Sequence, residues 1–106
     1  MVGKARGKAE IVRYAVVDDV GTVLNPMLLH GQIHGGIAQG IGQALMEHAV
    51  YDKESGQMLS ATFMDYGMPR ADLFPEIETH LEEVPSKTNP LGVKGIGESG
   101  TIGAPP

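Results

Sequence analysis

The chain has 106 residues, 42% of them hydrophobic and only 5% aromatic, with no tryptophan, so it suffices for one small unit with an aliphatic core. Its net charge of −5 disfavours nucleic acid and anionic membrane surfaces as partners, and the absence of cysteine excludes disulfides, thiolate catalysis and Cys-ligated metal. No apolar run reaches membrane-spanning length and residues 1–10 lack the apolar stretch of a signal peptide, so a cytoplasmic protein is the expectation.

Lys4, Arg6 and Lys8 form a sparse basic cluster that reads as a solvated tail. Residues 10–18 (EIVRYAVVD) are β-branched and aromatic and predict a strand, ended by the turn signal of Asp18, Asp19, Val20 and Gly21. Thr22, Val23 and Leu24 are short and extended. Asn25-Pro26 then reads as an N-cap followed by proline at the first helical position. From Met27 to about His48, Leu28, Leu29, Ile33, Ile37, Ile41, Ala44 and Leu45 recur at spacings of three and four, which predicts a long helix. Interior glycines each cost about 1 kcal/mol relative to alanine, so tertiary packing must sustain this helix. Gly31 with Gly35, and Gly36 with Gly40, are pairs four apart and predict faces open to another backbone or a ligand.

Residues 49–51 and 58–62 flank Asp52-Lys53-Glu54-Ser55-Gly56 as a β-hairpin. Residues 65–75 are irregular, and residues 77–84 alternate apolar and polar as a half-buried strand does. The expected fold is α+β, with one long glycine-rich helix packed on a small, mostly antiparallel sheet of about three strands and an irregular C-terminal loop. Such a sheet leaves unpaired edges. The chain also opens just before a strand and stops in a loop, so residues 1–106 read as a single partial domain, a piece of something larger.

The tail "GVKGIGESGTIGAPP" contains Gly95, Gly97 and Gly100 at the G-x-G-x-x-G spacing of a dinucleotide loop. That fingerprint requires a strand before it and a helix after it. Residues 85–90 read as turn, and two closing prolines leave no room for a helix, so the Rossmann reading is rejected. What remains is a glycine-rich loop around one carboxylate, Glu98, which reads either as a general base held close to a ligand or as an exposed loop residue. Gln32 and Gln39 read as amides for a polar ligand along the helix or as solvated positions. His30 and His34 lie one turn apart, but a zincin needs glutamate where Gly31 stands and no third ligand follows, so packing or surface histidines are expected. Asp18 and Asp19 are assigned to the turn, and Asp65 with Arg70 to a structural role.

"VDDVGTVLNPMLLHGQIHGGIAQGIGQAL" together with "DYGMPRADLFPEI" and "NPLGVKGIGESGTIGAPP" resembles the molybdenum-binding large subunit of the xanthine dehydrogenase, aldehyde oxidase and carbon-monoxide dehydrogenase family, in the family's order and from about Glu10 onward. The resemblance implies that Glu98 sits beside the molybdenum as general base. It implies that Gln32 hydrogen-bonds the pterin and that Gly35 and Gly36 let the cofactor lie close. The implied cofactor is a molybdopterin, in bacterial members usually the cytosine dinucleotide form. Implied partners are the remainder of the large subunit, an iron–sulfur subunit or domain and a flavin one. That subunit is several times longer, and the strand expected to pair with residues 10–18 belongs to its absent part. Two segments do not preorganise a cofactor site. The chain is therefore expected to bind no cofactor and catalyse nothing alone. The other reading is a non-catalytic remnant that folds as a homo-oligomerising module.

Overall fold

The computed structural model describes residues 2–3 and 8–106. Lys4 and Arg6 of the expected basic tail, and the side chain of Lys8, lie outside the described residues. Strand β1 (Val2–Gly3) pairs antiparallel with β2 (Lys8–Ala9). Strand β3 (Tyr14–Asp19) leads through a turn to helix α1 (Pro26–Leu45). A 3-10 turn at Ala71–Leu73 precedes strand β4 (Ile77–Glu82), and a short helix α2 (Ser99–Gly103) closes the chain.

The sheet is not the mostly antiparallel one expected. Its two longest strands, β3 and β4, run parallel in register from Tyr14 opposite Ile77 to Asp19 opposite Glu82. Among the described residues, antiparallel pairing is confined to the two-residue β1–β2 pair and to single bridges, Gly21 with Val93 and Tyr51 with Met58. The physical reason is the connection. A strand followed by a 20-residue helix and then a strand returns to its sheet as a crossover, and a crossover delivers the second strand parallel to the first. Alternation alone carries no direction. Within this chain β3 already has a partner, β4, where one from outside the chain was expected.

Helix α1 starts as its sequence predicts, with the Asn25 side chain accepting from Leu28 N at 3.2 Å and Pro26 in the first turn. Its apolar stripe becomes the core: Ile33 and Ile37 are fully buried and Ile41 is nearly so. Tyr14, Val16, Ile77 and Leu81, alternate residues of β3 and β4, pack against that stripe. The hairpin at residues 49–62 is short, held by Asp52 N donating to Gln57 O at 2.8 Å and Leu59 N to Val50 O at 2.8 Å.

The C-terminal segment is a second correction. Where an irregular loop was expected, residues 99–103 form α2, and it packs against α1. Gly100 makes this possible. A Cβ there would stand 2.7 Å from Ile37 N and 2.8 Å from Ile33 O, so only a glycine backbone lies this close to the helix. Propensity forbids this helix and tertiary contact forms it.

The accessible surface is 8046 Å², against about 5,700 Å² for an ordinary compact protein of this mass. Much of the excess is apolar: Met64 is 93% exposed, Phe63 83% and Val12 71%. No helix among the described residues is long and apolar enough to cross a membrane.

Candidate functional site

Two segments meet at the N-terminal half of α1. The first is the loop from Pro85 to Glu98, anchored on the turn after β3. Gly92 (φ 69°) presents its carbonyl to both Thr22 N at 3.0 Å and Ser86 N at 2.9 Å. Gly21 (φ 64°) faces it so closely that a Cβ would stand 2.2 Å from that carbonyl oxygen. Both positions therefore require glycine, for conformation and for space. Asn89 brackets Val93, donating through Nδ2 to its carbonyl at 2.9 Å and accepting its N–H through Oδ1 at 3.2 Å. Lys94 N donates to Val20 O at 3.1 Å, and Lys94 Nζ pairs with Asp19 Oδ2. The Asp19 carboxylate also accepts from Gly21 N at 3.1 Å. The hydrogen bond from Lys94, and after it that from Gly21 N, holds Asp19 below the usual carboxylate range. Asp19 thus serves the turn as its sequence suggested, and serves the loop as well.

The second segment is α1 itself. Gln32 is exposed on it and lines a cleft of about 280 Å³ together with Val20, Asn25, Leu28, Val93, Lys94 and Ile96. Gly35 is exposed with nothing near the place of a Cβ. Gly36 is buried, its Cβ position 3.3 Å from Gly100 Cα and 3.2 Å from Thr101 N. Of the two expected glycine faces, Gly31 and Gly35 are open, whereas Gly36 and Gly40 receive α2 of the same chain.

Glu98 stands at the N-terminal boundary of α2, exposed, with no capping hydrogen bond from its side chain. Its backbone carbonyl accepts from Ile102 N at 3.0 Å. Gly95 and Gly97 before it have open space around them. Glu98 does not line the cleft that holds Gln32. The two residues share the same end of the molecule because α2 rests on α1 at Gly36, four residues along from Gln32.

The remaining candidates are dispersed. His30 Nδ1 lies 2.7 Å from Thr79 Oγ1 across the helix–sheet interface, and its ring centroid is 6.4 Å from that of His34. Among the described residues, no group of three or more His, Cys, Asp or Glu is placed to hold a metal ion. Asp65 accepts from Thr62 Oγ1 at 2.7 Å rather than pairing with Arg70. Gln39 meets Thr101 at 3.2 Å. A larger groove, about 580 Å³, lies at the other end of α1 between Ile11, Val12, Leu45, Met46, Leu73 and Phe74, away from every residue singled out above.

Sequence reasoning missed Lys94, Asn89 and Thr101. Lys94 carried a signal, as a lone cation inside a glycine-rich loop with an aspartate pair at a distant turn. Asn89 carried none, because its partners are backbone atoms that any sequence would supply, and Thr101 carried none, because its nearer partner, Gly36 O, is such an atom too.

The family described as "Molybdopterin cofactor-binding domain" matches residues 2–75. The carbon monoxide dehydrogenase large chain of Afipia carboxidovorans is 41% identical over 100 residues, covering 94% of this chain and 12% of that one. The nicotine 6-hydroxylase large subunit of Paenarthrobacter nicotinovorans is 41% identical over 99 residues, with 93% and 12% covered. Among solved structures, the quinoline 2-oxidoreductase of Pseudomonas putida 86 superposes with a TM-score of 0.86 at 44% identity, over 93% of this chain and 12% of that chain. The chain thus spans about an eighth of the length of these relatives.

Proposed function

Because the chain belongs to the molybdopterin cofactor-binding domain family, we propose that it supplies two of the segments that surround the cofactor in the large subunit of a molybdenum hydroxylase. The residues present fit such a group. The Gln32 amide and the Glu98 carboxylate are exposed and have no hydrogen-bonding or ionic partner within the described residues. Gly35, Gly95 and Gly97 beside them offer backbone with no side chain in the way. Gln32 would hold the pterin by its side-chain amide, with the open backbone at Gly35 admitting the ring system alongside; Gly36, expected to do the same, is covered by α2. When bound, the molybdopterin supplies the oxidation–reduction chemistry.

Glu98 is the general base of this reading. A carboxylate free of internal partners among the described residues is available to accept a proton. The cofactor form is the cytosine dinucleotide, the compartment the cytoplasm, and the electron partners an iron–sulfur and a flavin subunit or domain. The chain alone is inactive, because a cofactor enclosed by many segments is not preorganised by two.

The observation that carries the reading is an uncommitted carboxylate and an uncommitted amide, each beside open glycine backbone. Its test is Glu98→Gln in the complex reconstituted with the remaining subunits. Turnover falls by at least a hundredfold while molybdenum per complex, read by elemental mass spectrometry, stays at the wild-type ratio. Normal turnover from that variant removes Glu98 as the base.

A second reading has its own observation. Among the described residues, the two-stranded parallel sheet leaves an open edge on each side, and Val17 on its outer face is 66% exposed. A stand-alone module would cover these by self-association. Sedimentation of the purified chain as a folded monomer counts against it.

A further inference from the structure

We infer that Thr101 is a positioning residue that ties the Glu98 segment to the Gln32 helix; the inference rests on the assignment of Glu98 as base. The Glu98 side chain has no hydrogen bond or ion pair among the described residues, so its place is set by what it is attached to. Downstream it is attached to α2, five residues long, with internal bonds from Ile102 N to Glu98 O at 3.0 Å and from Ala104 N to Gly100 O at 3.2 Å. A helix of this length does not persist unaided. Upstream, Ile96 packs against the isoleucine core and its carbonyl accepts from Ser99 N at 3.3 Å, while Gly95 and Gly97 on either side of it have open space around them. Gly97 beside Glu98 carries no side chain to hold that stretch against a neighbour, so Ile96 alone leaves the carboxylate's direction open. The seat of α2 on α1 is the second anchor that sets where Glu98 points.

Within that seat, glycines remove obstacles and Thr101 makes the bond. A Cβ at Gly36 would stand 3.2 Å from Thr101 N, and one at Gly40 2.7 Å from Thr101 O. With both absent, the Thr101 backbone lies against α1 and its hydroxyl reaches Gly36 O at 3.0 Å, with Gln39 Oε1 at 3.2 Å as second acceptor. Close packing without the hydroxyl leaves α2 free to slide along a smooth glycine track. The hydroxyl fixes its register, one turn from the amide of Gln32 on the same rigid helix. Amide and carboxylate are thereby held at a set spacing through two bonded elements, with Ile96 as the anchor on the loop side.

The test compares Thr101→Val, which keeps the shape and removes the hydroxyl, with Thr101→Ser, which keeps the hydroxyl. Amide hydrogen exchange is followed by NMR in the 106-residue chain. In Thr101→Val the Ile102 and Ala104 amides exchange about two- to tenfold faster, the factor expected for one lost hydrogen bond. In Thr101→Ser they stay near wild-type rates. Wild-type rates in Thr101→Val, or equally fast exchange in Thr101→Ser, overturn the tie. Should Thr101→Val also expose the Ile37 and Ile41 amides, Thr101→Ser against Thr101→Ala decides, and equal rates in that pair overturn it. In the reconstituted complex, Thr101→Val lowers kcat with KM held within about twofold, and Thr101→Ser restores it; a change confined to KM overturns the positioning role. The exchange readout does not involve proton transfer at Glu98, so it stands or falls separately from the Glu98→Gln experiment.

Discussion

Helix α1 is packed from two sides by opposite means. Toward the sheet it presents Ile33, Ile37 and Ile41, side chains that interdigitate with Tyr14, Val16, Ile77 and Leu81. Toward α2 it presents Gly36 and Gly40, and the contact is backbone against backbone. The first interface is held by burial of apolar area, roughly proportional to the atoms removed from water. The second contributes little area and depends on the absence of atoms. One face of the helix therefore stabilises the chain, and the other seats the short helix that follows Glu98.

The largest effect lies on the isoleucine side. Ile37→Ala empties a fully buried site and lowers the free energy of unfolding by about 2–5 kcal/mol, measured by urea denaturation. A loss below about 1 kcal/mol would show that this core is not closed in solution.

Next is the glycine side. Gly100→Ala places a methyl 2.7 Å from Ile37 N and 2.8 Å from Ile33 O, backbone atoms that cannot step aside. Overpacking of this kind costs about 1–3 kcal/mol. The contrast sharpens in spectroscopy: Gly100→Ala should move the amide resonances of residues 98–103 while leaving those of β3 and β4 in place. Shifts spread evenly over the sheet would mean that the two interfaces are not separate.

Gly35→Ala inverts the sign. Nothing stands near its Cβ position, so alanine replaces glycine in a helix without a clash. The chain should gain about 0.5–1 kcal/mol. Under the proposed function the same change reduces molybdenum loading of the reconstituted complex, because the added methyl occupies the cofactor's approach. A stabilised variant that loads normally would remove Gly35 from the cofactor contacts.

The smallest effect is electrostatic. Asp19 is held below the usual carboxylate range by the bond from Lys94, and Glu78 by its paired bonds from Arg13 at 2.9 and 3.0 Å. Carboxylates depressed in the folded state contribute stability that is complete above their unfolded values and is lost as pH falls through the folded ones. Thermal stability should therefore decline on acidification below about pH 4. Lys94→Met should flatten that decline, and an unchanged acid limb in Lys94→Met would show that the Asp19 pair is not formed in solution.

The sequence by itself determined the elements whose signals are local. Asn25-Pro26 marked the start of α1, the spacing of Ile33, Ile37 and Ile41 marked its buried face, and the alternation in residues 77–84 marked β4. It also determined the family, because an ordered set of short motifs survives translation into any fold. Strand direction was within reach of the sequence too, since a long helix between two strands implies a parallel return, but alternation drew attention to an antiparallel sheet instead. Only the tertiary structure decided the rest. Residues 99–103 are poor helix formers, and they form α2 because Gly100 fits against α1. Gly31, Gly35, Gly36 and Gly40 are indistinguishable as letters, yet two face open space and two receive a helix. Lys94 finds Asp19 across 75 positions of chain. Each of these depends on which distant backbone arrives at a given surface, and that is a property of the packed chain, which no local pattern encodes.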